Sequence, residues 1–225
     1  MALLFEMNVL LLGATGMVGQ GVLRECLLDA TVQRVVTLGR VATGQRHAKL
    51  AELVHADLFD LASIESQLTG FDACFFCLGV TSAGMSERDY TQVTYDLTLA
   101  VARTLVRLNP QMTFIYVSGM GTDSTEHGRT MWARVKGKTE NALLAMPFKA
   151  AYMFRPAAIV PLHGVRSKTG WYRAIYAVLT PALPLMKRLF PKYVTTTEQV
   201  GRAMLRVARN GYRTTVLEGL DIDRL

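Results

Sequence analysis

The sequence predicts an α/β fold built on one doubly wound parallel sheet with helices on both faces. Segments typical of strands alternate with segments typical of helices along almost the whole chain. The strand segments are continuous apolar runs, as expected for parallel strands that are covered on both faces. A glycine-rich turn, Gly13–Gly19, directly follows the first of these runs and precedes a helix.

Each element has its own signal in the sequence. The predicted strands are Met7–Leu12, Arg34–Leu38, Leu50–His55, Ala73–Leu78, Thr113–Ser118, Ala150–Arg155 and a late one near Thr214–Leu217. The predicted helices are Met17–Leu28, Leu61–Gln67, Glu87–Leu108, Arg129–Ala145 and Glu198–Arg209. Ser86 with Asp89, and Thr196 with Gln199, resemble capping boxes, and Asn109-Pro110 ends the long helix. The run Tyr193–Thr197 is interpreted as a connection and a helix cap.

The chain of 225 residues is long enough for one domain with its own core. We predict a single domain over residues 1–225, in which residues 157–195 form a small C-terminal cap. Within this cap, Trp171–Leu189 is apolar and aromatic, with a basic edge of Lys187, Arg188 and Lys192. The preferred interpretation is a lid over a ligand pocket, with a hydrophobic substrate tunnel and a membrane-surface patch as alternatives.

Charge and cysteine content limit the classes of partner. The net charge is +7, but the basic residues are scattered, which favours a phosphate-bearing ligand over nucleic acid. An odd number of cysteines, three, indicates a reducing compartment without a disulfide framework. Cys74 and Cys77 lie on one strand segment and should point to opposite faces, so we interpret them as core residues rather than metal ligands.

Targeting signals are not evident in the sequence. The N-terminus lacks the basic region of a signal peptide, and no apolar run is long enough to span a membrane. We therefore expect a cytoplasmic location.

The glycine turn has the chemistry of a diphosphate site. A strand that turns sharply into a helix leaves backbone N–H groups and the positive helix end facing a gap. Glycines permit the tight turn, the approach of a phosphate to the backbone and the close packing of helix on strand. In a doubly wound sheet this gap lies beyond the carboxyl ends of the strands. The sequence therefore predicts a dinucleotide at this turn.

The G-x-x-G-x-x-G spacing, the pair Asp57-Leu58 and the strand end Cys77-Leu78-Gly79 resemble a short-chain dehydrogenase/reductase with a Rossmann fold. The chain is most similar to the atypical, extended-type branch with NmrA-like and Tat-interacting-protein-like members, over nearly its whole length. The resemblance implies that the cofactor contacts Gly13, Ala14, Thr15, Gly16, Met17, Val18, Arg40, Asp57, Leu58, Leu78, Gly79, Lys136 and Pro156.

Arg40 sets the expected form of the cofactor. A site that prefers NAD needs a carboxylate after the second strand to accept hydrogen bonds from the ribose hydroxyls. The sequence offers Arg40 there instead, which suits a 2′-phosphate, so we predict NADP rather than NAD.

The resemblance also implies a catalytic set of Ser118, Lys136 and the position held by Trp132, with Ser118 facing the nicotinamide and the substrate. Active members carry Tyr-x-x-x-Lys on this helix, where the tyrosine passes a proton to or from the substrate oxygen. This chain has Trp132-Ala-Arg-Val-Lys136, and an indole N–H does not titrate usefully. Either the alignment is shifted, or Tyr116, His127 or His163 supplies the proton, or the protein does little chemistry.

Two functions remain open from the sequence. The first is an NADP(H)-dependent oxidoreductase, or an epimerase-type enzyme, that acts on a small or apolar carbonyl compound. The second is a catalytically weak dinucleotide-binding regulator or partner-binding protein. The expected partner is a small-molecule substrate, and the sequence leaves the oligomeric state open.

Overall fold

The computed structural model describes residues 6–165 and 193–225. Its strands are β1 (Met7–Leu12), β2 (Val32–Gly39), β3 (Leu50–Val54), β4 (Ala73–Phe76), β5 (Thr113–Val117), β6 (Ala150–Arg155), β7 (Ala158–Val160), β8 (Val194–Thr196) and β9 (Val216–Glu218). Its α-helices are α1 (Met17–Leu28), α2 (Glu87–Thr91), α3 (Leu97–Leu108), α4 (Met131–Leu144), α5 (Thr197–Asn210) and α6 (Gly219–Arg224). A 3₁₀ helix spans Ala62–Gln67, and a π-helical turn, Gln92–Asp96, joins α2 to α3.

Seven of the described strands form one parallel sheet in the order β3-β2-β1-β4-β5-β6-β9. The chain winds outward from β1 to β3 and then returns to β4 on the other side of β1. This reversal opens a gap beyond the carboxyl ends of β1 and β4, where ligands of doubly wound sheets bind. The predicted fold class is confirmed.

Side chains of β1 alternate between two apolar cores. Val9 and Leu11 pack on one side of the sheet with residues of α1 and α5, whereas Leu10 and Leu12 pack on the other with residues of α3. Cys74 and Cys77 follow the same alternation and lie on opposite sides. Burial raises the pKa of both thiols, as expected for inert core cysteines.

Most boundaries agree with the sequence prediction, and those of β1, α1 and β6 agree to the residue. Asn109 ends α3, and Ser86 and Thr196 each accept a hydrogen bond from the backbone N–H three residues ahead. Each of these features depends on neighbouring residues alone, so a sequence pattern can specify it.

Three segments differ from the prediction. The predicted helix Glu87–Leu108 is interrupted by the π-helical turn, which lies against α4. β3 is only half-buried because it pairs with β2 alone, at the edge of the sheet. Val194–Thr196, expected to be a connection, pairs with β7 as a parallel strand. All three depend on tertiary neighbours that local sequence does not reveal.

The predicted single domain over residues 1–225 stays a prediction, as does its cap at residues 157–195. The lid, tunnel and membrane-surface interpretations of Trp171–Leu189 fall outside the described residues. In residues 6–165 and 193–225, every helix is too short or too polar to cross a bilayer.

Candidate functional site

The first turn of the fold is built so tightly that it requires glycine. Gly13 has a φ of +81°, and a Cβ added there would lie 2.5 Å from the carbonyl carbon of Cys77. A Cβ on Gly19 would lie 2.1 Å from the carbonyl oxygen of Gly13. The N–H of Gly16 donates to that same oxygen across 2.9 Å and closes the turn.

Helix α1 begins directly after this turn. Gly16 is its N-cap and has no side chain with which to cap the helix. The first N–H groups of a helix lack partners within the helix, so they remain available to an anion. The observed geometry therefore suits a diphosphate at this position.

A crevice of about 250 Å³ lies in front of the turn. The predicted cofactor residues that line it are Gly13, Ala14, Thr15, Gly16, Arg40, Leu58, Leu78 and Gly79. They come from four different strand ends, which the parallel sheet brings to one edge.

Five predicted cofactor residues lie outside this crevice: two of them, Lys136 and Pro156, line a neighbouring cavity, and the other three lie in neither. Met17 and Val18 pack their side chains against the core around α1. These residues can therefore contact a phosphate only through their backbone N–H groups. The Asp57 carboxylate accepts a hydrogen bond from the N–H of Phe59 across 2.8 Å and stabilises its own turn. The structure therefore places Leu58, rather than Asp57, in the crevice wall.

Arg40 is exposed at the end of β2, on the wall of the crevice. The described residues that line this crevice include no carboxylate. The carboxylate of the nearby Glu52 accepts a hydrogen bond from the Thr43 N–H across 2.6 Å. This arrangement provides a cation without a competing acidic acceptor at the edge of the crevice.

A second cavity of about 460 Å³ adjoins the crevice, and Val80 borders both. We call it the substrate-side cavity; its wall includes Tyr90, Ser118, Met120, Trp132, Lys136 and Pro156. The structure thus brings all three predicted catalytic residues to one cavity. Their roles remain predictions.

The Ser118 hydroxyl belongs to a buried polar network. It donates to Oε1 of Glu140 at 2.5 Å, with the carbonyl oxygen of Phe154 as an alternative acceptor at 3.1 Å. Glu140 is only 1% exposed and also forms an ion pair with Arg155. This differs from the expectation that the hydroxyl faces the nicotinamide and substrate, because the hydroxyl donates its hydrogen bond to a buried acceptor instead.

Lys136 lies one helical turn before Glu140 on α4. Its Nζ donates to the carbonyl oxygen of Ser118. Burial lowers the pKa of Lys136 to about 8, although the negative charge of Glu140 opposes this shift. The ammonium therefore titrates close to physiological pH in the cavity wall.

Trp132 and Lys136 lie four positions apart on α4 and share the cavity. The Trp132 ring packs over Gly121, where an added Cβ would lie 3.5 Å from the indole. The tryptophan therefore occupies the expected tyrosine position as an aromatic wall.

The proton donors suggested by the sequence lie elsewhere. Tyr116 is 2% exposed, and burial raises the pKa of its phenol well above the usual range. His127 is exposed outside the lining of the cavity, and His163 Nε2 lies 2.5 Å from a carboxylate oxygen of Glu198. Tyr90 also lines the cavity, and no motif in the sequence marks it as a site residue.

Known proteins resemble this chain in sequence and in fold. A family model described as NAD(P)H-binding matches residues 13–151. The protein named fmp52, mitochondrial, of Emericella nidulans is 31% identical over 159 residues, which is 68% of this chain and 66% of that protein. The match thus spans slightly less than two thirds of that relative's length.

Solved structures share the fold at low sequence identity. The Helicobacter pylori ADP-L-glycero-D-manno-heptose-6-epimerase is 16% identical with a TM-score of 0.64, over 92% of this chain and 74% of that one. The Bordetella bronchiseptica enzyme WbmF in complex with NAD+ is 14% identical with a TM-score of 0.67, over 98% and 77% of the two chains.

The comparisons correct one prediction. Several fungal relatives are named as mitochondrial proteins, so the expected cytoplasmic location is wrong by this comparison. They bear out the resemblance noted in the sequence, since the family model covers more than half of the chain. This chain belongs to the NAD(P)H-binding family, whose model matches more than half of its length.

Proposed function

We propose that this protein is an NADP(H)-dependent oxidoreductase that acts on a small or apolar carbonyl compound. The observation that carries the proposal is that two cavities are neighbours. The glycine-lined crevice and the substrate-side cavity share Val80 in their walls, and the wall of the second contains Lys136. A dinucleotide whose diphosphate lies at the α1 terminus would extend its nicotinamide toward that cavity.

The walls of the cavity support an apolar substrate. Val80 and Met120 expose 46% and 45% of their surface, and Trp132 adds an aromatic face. Exposed apolar side chains in a concave site favour an apolar ligand because binding removes their surface from water.

Lys136 is proposed to bind the nicotinamide ribose. Its ammonium donates three hydrogen bonds, of which the carbonyl oxygen of Ser118 accepts one. The others are available to ribose hydroxyls. When bound, the cofactor supplies or accepts a hydride at its nicotinamide ring, and a positive charge nearby favours the electron-rich form.

The choice of NADP over NAD rests on Arg40. A guanidinium makes paired hydrogen bonds to phosphate, and a 2′-phosphate attached to the adenosine ribose would reach the end of β2. The structural relatives include a complex with NAD+. The preference for NADP is therefore proposed for this chain from its own residue.

A second candidate is a dinucleotide-binding regulator with little catalytic activity. Two observations favour it: Trp132 replaces the usual tyrosine, and the Ser118 hydroxyl donates to Glu140 or Phe154. An epimerase-type reaction with transient hydride transfer is a variant of the first proposal, in keeping with the epimerase among the structural neighbours.

The test is NADPH oxidation against a panel of aliphatic and aromatic aldehydes and ketones. Lys136→Met is expected to lower kcat/KM by about a hundredfold, as for loss of a charged contact in a site. Lys138→Met is the matched control because Lys138 is exposed on the same helix. Tight NADPH binding without turnover of any compound would favour the regulator, and equal effects of the two substitutions would contradict the proposed site.

A further inference from the structure

We propose that Tyr90 is the proton donor of this site, so that the phenol absent from α4 is supplied by α2. This inference rests on the proposed oxidoreductase function. It assigns a catalytic role to a residue outside the Tyr-x-x-x-Lys pattern, with Trp132 as a wall of the site rather than a participant in proton transfer.

The position of Tyr90 is the first support. Tyr90 lines the substrate-side cavity together with Trp132 and Lys136. It is only 2% exposed overall, so its ring is enclosed by protein. Of the tyrosines in the described ranges, it is the one in the lining of this cavity. A phenol here has the acid chemistry that the indole of Trp132 lacks.

Helix α2 is fixed to α4 by an ion pair. Arg134 Nη2 lies 2.6 Å from Oε2 of Glu87, and Arg134 Nη1 donates to the carbonyl oxygen of Gly128 across 2.7 Å. Arg134 lies between Trp132 and Lys136 in the sequence, and Glu87 is one turn before Tyr90. The two helices that carry the proposed donor and the lysine are therefore held together beside the cavity.

Tyr90 lies two residues before the π-helical turn. The Thr94 side chain within that turn acts on the phenol and lowers its pKa, and the Thr94 carbonyl oxygen accepts from Thr98 Oγ1 across 2.5 Å. Such turns recur at functional sites. Burial raises the pKa of Tyr90 above its ordinary value, so the phenol is protonated at neutral pH, as a donor must be.

The proposed step balances in the direction of reduction. Bound NADPH would supply a hydride to the carbonyl carbon of the substrate, and the electron pair of the carbonyl π bond would move to the oxygen. That oxygen takes the proton from Tyr90 Oη. The products are an alcohol, NADP+ and a tyrosinate, which water reprotonates. The reverse sequence oxidises the alcohol.

The first experiment compares Tyr90→Phe with Tyr95→Phe. Tyr95 is the control because it lies outside the lining of the cavity, and phenylalanine keeps the ring that contacts the Lys138 ammonium. Tyr90→Phe is expected to lower kcat for NADPH oxidation by about a hundredfold or more. The Kd for NADPH, measured by calorimetry, should change by less than about twofold, because the residue serves the substrate oxygen. Tyr95→Phe should retain the parent kcat.

A second readout is independent of turnover. In protein labelled at tyrosine Cζ with carbon-13, the Tyr90 resonance is identified by its loss in Tyr90→Phe. Cyclohexanone is then added to protein saturated with NADP+, a pair that cannot react because both are oxidised. The Tyr90 resonance is expected to shift and the Tyr95 resonance to stay in place.

Two results would overturn the inference. One is a Tyr90→Phe variant that keeps more than about a tenth of the parent kcat, since loss of a general acid costs more than this. The other is a Tyr90 resonance that does not move at cyclohexanone concentrations that shift the Trp132 indole resonance. A parent that oxidises no NADPH would instead contradict the proposed function, and the resonance would still show whether Tyr90 touches the carbonyl ligand.

Discussion

The Ser118 hydroxyl donates to Oε1 of Glu140 across 2.5 Å, and both residues are almost fully buried. Glu140 is also held by Arg155, whose Nε lies 3.0 Å from the same carboxylate oxygen. Because a hydroxyl has one proton, a serine that gives it to a buried carboxylate does not offer it to a substrate.

Ser118→Ala should therefore act on stability. We expect the free energy of unfolding to fall by about 1.5–3 kcal/mol, the value of a hydrogen bond to a charged group, with the Kd for NADPH unchanged. Urea denaturation and calorimetry measure the two quantities. Ser124→Ala is the control, since exposed Ser124 also contacts Arg155 and should cost less than about 1 kcal/mol. A large loss of turnover without loss of stability would instead show that Ser118 takes part in catalysis.

Gly13→Ala should be more damaging than Gly44→Ala. Both glycines have positive φ, +81° and +74°, so both substitutions strain the backbone by about 1–2 kcal/mol. Only at Gly13 would the added Cβ also meet backbone, 2.5 Å from Cys77, whereas the space around Gly44 is open. Thermal melting of both variants, with and without NADPH, measures the difference. Equal melting temperatures would show that the turn tolerates a side chain.

Arg40→Ala should separate the two cofactors. We expect the Kd for NADPH to rise by about ten- to a hundredfold, the effect of losing a charge-assisted hydrogen bond, and the Kd for NADH to stay the same. Arg46→Ala is the matched control, because Arg46 is exposed beyond the crevice lining. Calorimetry measures the Kd of each nucleotide for the unsubstituted protein and for both variants. A parent that binds NADPH and NADH equally would remove the proposed phosphate contact.

The charge on Lys136 should make cofactor binding depend on pH. Burial lowers the pKa of Lys136 to about 8 from 10.5, so its positive charge is lost as the pH rises through that value. The Kd for NADPH should therefore increase between about pH 7 and pH 9.5 in the parent. Lys136→Gln, which has no ammonium to lose, should lack this increase. An identical pH profile in both proteins would show that Lys136 does not contact the cofactor.

The lowered pKa of Lys136 should weaken cofactor binding as the pH rises, but it should increase the stability of the fold. The folded protein binds this proton less tightly than the unfolded chain does. Above about pH 8, the unfolded chain keeps a proton that the folded protein has released, so the Lys136 contribution to stability rises up to about pH 10.5. Unfolding measured against Lys136→Gln across this range should show the rise, and a fall would contradict the lowered pKa.

Local sequence patterns specify the parallel sheet, the glycine turn and the helix that carries Lys136. Apolar runs, the glycine spacing and helix caps are local patterns, and local patterns specify backbone conformation because they act through neighbouring residues. Eight of the fifteen residues that line the crevice were predicted from the family resemblance, and they follow strand ends that a parallel sheet brings to one edge.

Tertiary structure alone decided where the polar groups of the site point. Ser118 meets Glu140 from 22 residues away, and Tyr90 reaches the cavity of Lys136 only because α2 packs on α4. The π-helical turn and the pairing of β7 with β8 likewise depend on packing partners. Two polar groups that are far apart in the chain pair because burial leaves each of them in need of a hydrogen bond. Which groups are buried together depends on the assembled fold.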